Sequence, residues 1–255
     1  MVLTAVLYVA MVAFNYLAGV GMINNVGTGA VSDAYQNLFT PAGYAFSIWG
    51  LIYLLLGVYT VYQFIAIRKD KKRLELFGDL GKYYLATSFI NITWLFAWHY
   101  FAIGLSVIFM FGLLFCLIRI ADRLRKEKFS AKEKISVRLP FSLYFGWISV
   151  ATIANITVFL VSLGWRGVGF SEVFWTVLIL LVGTIIGSLR MLIDKDIPYG
   201  LVFLWAYAAI LARHLSADGF AGKYPAIVVT LIGCLVLFFL SGIMLLVREK
   251  IKRDA

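Results

Sequence analysis

Residues 224–247 read YPAIVVTLIGCLVLFFLSGIMLLV, an uncharged run that ends on Arg248, Glu249 and Lys250. A helix needs about 20 mainly apolar residues to cross the hydrocarbon core of a bilayer, and this run supplies them. Seven more segments of the same character precede it, at approximately 3–23, 42–67, 82–101, 105–121, 139–162, 172–193 and 199–215. The composition agrees. Of the 255 residues, 62% are hydrophobic and 14% charged, and mean hydropathy is +0.92, whereas a soluble domain holds ~45–50% apolar and ~25% charged residues. One core cannot hide that much apolar surface, so lipid has to solvate most of it. The expected fold class is all-α, a polytopic membrane helix bundle of about eight transmembrane helices.

The formal net charge of +10 does not point to nucleic acid, because the basic residues sit in short runs between apolar segments and not on one folded face. Only Arg166, Arg213 and Lys223 of the 23 basic residues fall on one side of the alternating segments. The other twenty, including eight between Arg119 and Arg138, gather on the opposite side, which the positive-inside rule assigns to the cytoplasm. The expected topology is eight spans with the N-terminus outside and the C-terminus cytoplasmic. Residues 1–24 have no basic n-region and no small-residue cleavage site, so they read as a retained helix. No organellar transit segment is visible, and a bacterial plasma membrane is the expected location.

Helix centres hold no Asp, Glu, Lys or Arg, which argues against a midplane proton relay or ion site. Cys116 and Cys234 lie in apolar segments without ligand spacing, and no metal site is expected. His99 and His214 both fall near outer helix ends, where bis-histidine haem ligation is conceivable and interfacial placement is the plainer reading. The neutral polar and aromatic residues are more informative. Phe46, Trp49 and Tyr53 share one helical face; so do Asn91, Trp94 and Trp98, and so do Trp147, Ala151 and Asn155. Buried amides need partners, so Asn91 and Asn155 should point into the bundle, where interhelical hydrogen bonding competes with ligand contact as their role. Three aromatic faces with a small residue among them suit a flat apolar ligand. Gly183 and Gly187 read as small-residue helix packing. Residues 24–41, rich in Gly, Asn and Ser, are long enough to fold over the mouth of a bundle or to serve as a plain connector.

The run from Phe39 to Gly57, FTPAGYAFSIWGLIYLLLG, resembles the TspO/MBR family, the translocator or tryptophan-rich sensory proteins. That family carries a proline before helix two and then W-x-x-x-Y-x-x-x-G, matched by Pro41, Trp49, Tyr53 and Gly57. Its N-x-x-W in helix three is matched by Asn91 and Trp94. Its proline followed by W-x-x-x-A-x-x-x-N in helix five is matched by Pro140, Trp147, Ala151 and Asn155. The resemblance covers roughly residues 1–163 and implies a five-helix unit there, extended by three additional transmembrane helices and a basic cytoplasmic tail over 172–255. It further implies a protein that binds, senses or transports a porphyrin, tetrapyrrole or sterol-like ligand. The implied ligand-binding residues are Phe46, Trp49, Tyr53, Asn91, Trp94, Trp147, Ala151 and Asn155. Where five-helix members have a paired proline and a phenylalanine one residue further from the tryptophan, this chain has Pro41 alone and Phe46-Ser47-Ile48-Trp49. The expected partners are membrane lipid, a hydrophobic small molecule and a second copy in a homodimer; nucleic acid is not among them. Transport of another substrate class is the alternative. An enzyme acting on porphyrin or lipid has less support, since no Ser-His-Asp set, HExxH or paired carboxylates are visible and no catalytic residue can be named.

Overall fold

The computed structural model describes residues 1–67, 71–165 and 167–254; Arg68, Lys69 and Arg166, which enter the charge asymmetry, lie outside the described residues. Helices of at least seven residues are α1 (Val2–Gly19), α2 (Thr28–Ala34), α3 (Ile48–Ile67), α4 (Lys71–His99), α5 (Ile103–Leu124), α6 (Leu139–Ser162), α7 (Glu172–Asp194), α8 (Ile197–Leu215) and α9 (Pro225–Asp254). No strand occurs among the described residues. Among the described residues, six helical stretches are long and apolar enough to cross a membrane: Val2–Gly19, Gly43–Ala66, Ile103–Leu124, Ala131–Ser162, Glu172–Asp194 and Pro225–Arg248. The other two long helices, α4 and α8, are less apolar because they hold the polar and aromatic residues of the interior, among them Asn91, Trp94, Trp98, His99, Arg213 and His214.

Local chemistry explains the boundaries. Pro140 lies inside the continuous helical stretch Ala131–Ser162, directly after a π-helical turn over Lys134–Arg138, and a widened turn of that kind accommodates a residue that has no backbone N–H to donate. The Ser171 hydroxyl accepts from the Phe174 amide at 3.2 Å and caps α7. Asp196 caps α8 through the Tyr199 amide at 3.4 Å. Lys195 adopts a left-handed conformation, φ 51°, that closes α7 and reverses the chain within two residues. The α4–α5 turn falls between the apolar segments at 82–101 and 105–121. Phe101 makes the turn with φ 57°, and Gly104 lies inside α5, where a Cβ would come 3.2 Å from the Phe159 ring. The glycine there serves close helix packing.

The long helices alternate in direction, and α6 is the central one, touching α3, α5, α7 and α8. It is also the most buried, with Phe141, Tyr144, Trp147 and Ile148 enclosed. At one end of the bundle an ion-pair network joins α5 to the C-terminal helices. Arg190 binds Asp122 and Asp194, each at 2.6 Å, and Arg125 lies 3.5 Å from Asp194, which is 6% exposed. Arg138 reaches Asp196 at 3.6 Å.

The start of α1 lies at that same end. Ala5 and Tyr8 line a groove with Ile65 and Lys132, while Asn24, beyond the other end of α1, donates to the His99 carbonyl oxygen at 2.7 Å. The start of α1 thus lies at the end that carries the ion-pair network, whereas the expectation placed the N-terminus on the face opposite the C-terminus. An even number of alternating helices returns the chain to the side on which it began, so eight spans and opposed termini are incompatible.

Candidate ligand pocket

Trp49, one residue into α3, is the hub of an aromatic cluster. Its ring stacks on Tyr53, one turn further along, with centroids 5.2 Å apart and planes 12° from parallel. Trp147 of α6 meets it edge-on at 6.1 Å and Tyr144 at 5.9 Å, while Trp94 of α4 lies 6.5 Å away with its plane tilted by 36°. Trp94 in turn stacks on Trp98 at 5.7 Å, and Phe46 meets Trp147 edge-on at 6.0 Å. Spacings of three and four residues put each set on one helical face, and the three faces converge.

A cavity of about 50 Å³ lies among them, lined by Phe46, Trp49, Trp94, Trp98, Trp147, Ala151 and Asn155 together with residues of α5, α8 and the 28–41 segment. No charged side chain lines it among the described residues. Of the eight residues singled out from sequence, six are thus brought to one cavity: Phe46, Trp49, Trp94, Trp147, Ala151 and Asn155. Tyr53 and Asn91 lie deeper. Asn91 is fully buried and accepts from the Asn15 amide at 2.6 Å, so α1 and α4 share the interhelical hydrogen bond considered above. Asn155 is held by Ser106, whose hydroxyl accepts from its amide at 2.9 Å, while its own carbonyl oxygen accepts from Trp94 Nε1 at 3.2 Å. Trp147 Nε1, Asn91 Nδ2 and the hydroxyls of Tyr53 and Tyr144 are buried without a hydrogen-bond partner among the described residues.

Residues 28–41 cover the cavity. Thr28, Ser32, Phe39 and Pro41 form part of its wall, and Val31 and Phe39 are buried. Side chains of the bundle fasten this segment at both ends. Trp98 Nε1 donates to the Thr28 carbonyl at 3.0 Å, and the Thr28 hydroxyl lies 3.3 Å from His99 Nε2. His214 Nε2 lies 2.9 Å from the Leu38 carbonyl, Arg213 pairs with Asp33 at 3.0 Å, and the Ala42 amide donates to the Ala209 carbonyl at 3.0 Å. Between the two readings left open for this segment, the structure selects the cover. The two histidines are committed to it, and no cluster of metal-ligating side chains occurs among the described residues.

Sequence reasoning missed the wall supplied by α8. Ala206 and Ile210 line the cavity, and neighbouring Trp205 donates from Nε1 to the Ala45 carbonyl at 3.0 Å. Small and aliphatic residues carry no chemical signature, and only their one-turn spacing marks a face. Trp98 and Met110 were also left out of the expected site, although Trp98 lies one turn from Trp94 on the face already named.

Comparison with known proteins accords with this arrangement. A family model described as TSPO-like protein matches residues 1–244, which extends the match beyond the five-helix stretch through α8 and most of α9. No curated protein and no solved structure matches the chain. With apolar helices long enough to cross a bilayer and a family match over nearly its whole length, the chain is an integral membrane protein that belongs to the TSPO-like protein family.

Proposed function

We propose that this protein binds a flat hydrophobic ligand of the porphyrin or tetrapyrrole class in the cavity beneath residues 28–41, as a sensor or carrier of that ligand. The observation that supports this reading most directly is the convergence of Trp49, Trp94, Trp98 and Trp147 on one uncharged cavity. Indole faces stack on extended π-systems, and absence of charge suits an apolar macrocycle. The buried indole donor in its wall, Trp147 Nε1, suits a ligand that also bears an acceptor group. The free volume of about 50 Å³ is far below the ~300–1,000 Å³ of small-molecule pockets. Binding therefore requires the aromatic rings to turn aside or residues 28–41 to lift. Deeper in the bundle, Tyr59, Tyr84 and Phe141 close on one another with centroids 4.7–5.6 Å apart. That plug favours a binding role over an open conduction path.

In the membrane, the reading assigns all eight long helices as spans and the end bearing Arg125, Arg138 and Lys132 as cytoplasmic, in accord with the positive-inside rule. Both termini are then cytoplasmic, and a bacterial plasma membrane is the proposed location. The test is titration of the detergent-purified chain with protoporphyrin, read by tryptophan quenching. Loss of one stacking contact removes roughly 0.5–1.5 kcal/mol, so Trp49→Ala and Trp147→Ala should each weaken binding by up to about tenfold. Wild-type affinity in both variants would remove the cavity from consideration.

A further inference from the structure

A second concavity lies on the outside of the bundle, where α1 and α3 splay. It encloses about 700 Å³ and is lined by Ala5, Tyr8 and Val9 of α1, by α3 from Leu54 to Ile65, and by Lys132 and Ser136 at one end. Gly57 gives it depth. The Tyr8 hydroxyl reaches across to donate to the Tyr53 carbonyl at 2.9 Å, and a Cβ on Gly57 would meet that hydroxyl at 2.6 Å. The flanking side chains are apolar and exposed: Val9 is 63%, Leu54 66% and Val61 62% accessible. Along α3 the groove runs from Leu54 to Ile65, a rise of roughly 16 Å at about 1.5 Å per residue. That is about half of the ~30 Å hydrocarbon thickness, the depth of one leaflet.

The polar end is built differently from the rest. Lys132 is the second residue of a turn fixed by a capping box, in which the Ser130 amide donates to Glu133 Oε2 at 2.9 Å and the Glu133 amide donates to Ser130 Oγ at 3.3 Å. Glu133 is already neutralised by Arg73 at 2.8 Å, and Glu127 by Arg73 and Arg123. Lys132 itself makes no ion pair among the described residues; its ammonium lies 5.8 Å from the Tyr62 ring centroid. The groove thus ends on a surplus positive charge beside the Ser136 hydroxyl, at the level where a headgroup would begin.

We propose that this groove binds one anionic phospholipid of the cytoplasmic leaflet, with an acyl chain lying along α3 between Leu54 and Ile65 and its phosphate against Lys132 and Ser136. An apolar trough one leaflet deep accounts for the chain, and the unneutralised ammonium accounts for selection of an acidic headgroup over a zwitterionic one. The site is separate from the aromatic cavity and does not depend on the ligand proposed for it.

The experiment places the full chain in nanodiscs of equal phosphatidylglycerol and phosphatidylcholine, then releases it in mild detergent and counts retained lipids by native mass spectrometry. The wild type should retain one phosphatidylglycerol at least fivefold in preference to phosphatidylcholine. Lys132→Glu should abolish the preference, Lys132→Arg should keep it, and Val58→Trp, which fills the trough, should lower retention of both lipids severalfold. Lys126→Glu makes the same charge change on an exposed residue outside the groove and should leave the preference intact. Equal retention of the two lipids by the wild type, or loss of preference as complete in Lys126→Glu as in Lys132→Glu, overturns the proposal. Thermal unfolding midpoints within a few degrees of wild type establish that the variants are folded.

Discussion

At the scale of single residues, the cavity is defined by what is small as much as by what is aromatic. Ala151 of α6 and Ala206 of α8 face it from different helices, and a larger side chain at either would consume a space of about 50 Å³. Ala206→Phe should therefore weaken protoporphyrin binding at least tenfold, as should Ala151→Phe, while Trp165→Ala leaves it nearly unchanged. Trp165 packs on Trp175 with centroids 5.0 Å apart, away from Trp49 and its partners. Overpacking costs about 1–3 kcal/mol, so each variant needs a melting curve beside its titration. A folded Ala206→Phe protein with unchanged affinity would show that α8 only shields the site. The residues on α3, α4 and α6 were legible in the sequence because indoles and amides recur there at helical spacing. Ala206 and Ile210 were not, because an alanine or isoleucine on an apolar helix looks the same whether it faces lipid, core or ligand. Tyr53 and Asn91 show the converse: they share helical faces with Trp49 and Trp94, yet depth takes them out of the cavity wall.

At the scale of elements, the 28–41 segment is the part of the fold that sequence pattern could least specify. Its partners Trp98, His99 and His214 lie 70 to 176 residues away in the chain, and a stretch of Gly, Asn and Ser has no periodicity to reveal a buried face. Hydrophobic contact through Val31 and Phe39 and hydrogen bonds at either end both hold it, and they can be separated. Trp98→Phe keeps an aromatic ring, though a smaller one, and removes the donor to the Thr28 carbonyl. A hydrogen bond contributes about 0.5–1.5 kcal/mol net, which corresponds to roughly a two- to tenfold change in an opening equilibrium. Hydrogen exchange of amides near Thr28 should rise by that factor, and protoporphyrin association should quicken if lifting of this segment limits access. Unchanged exchange would mean that apolar packing alone keeps the cover down. The α4–α5 turn teaches a related lesson. The chain turns at Phe101 and not at nearby Gly104, whose missing side chain serves the approach of Phe159.

At the scale of the whole molecule, composition made the class of fold legible and charge gave an expected polarity, but neither could place the N-terminus. The first helix has no charged side chain to register in a basic-residue count, so its direction has to come from packing. Tyr8 bonds to the middle of α3, Ala5 lies near Ile65 and Lys132, and Asn24 reaches the far end of α4. Those contacts are compatible only with α1 running antiparallel to α3. The two termini must then share a face, whichever compartment it meets. Single cysteines can test this in intact cells with a membrane-impermeant maleimide, since native Cys116 and Cys234 are 6% and 1% exposed and should stay silent. Val2, Ala30, Ala131 and Ala217 are all exposed positions. Cysteines at Ala30 and Ala217 should label from outside, and those at Val2 and Ala131 only after the membrane is opened. Labelling of Val2 together with Ala30 would mean that α1 does not cross, and the packing of α1 against α3 and α4 would have to be redrawn for the membrane-embedded protein.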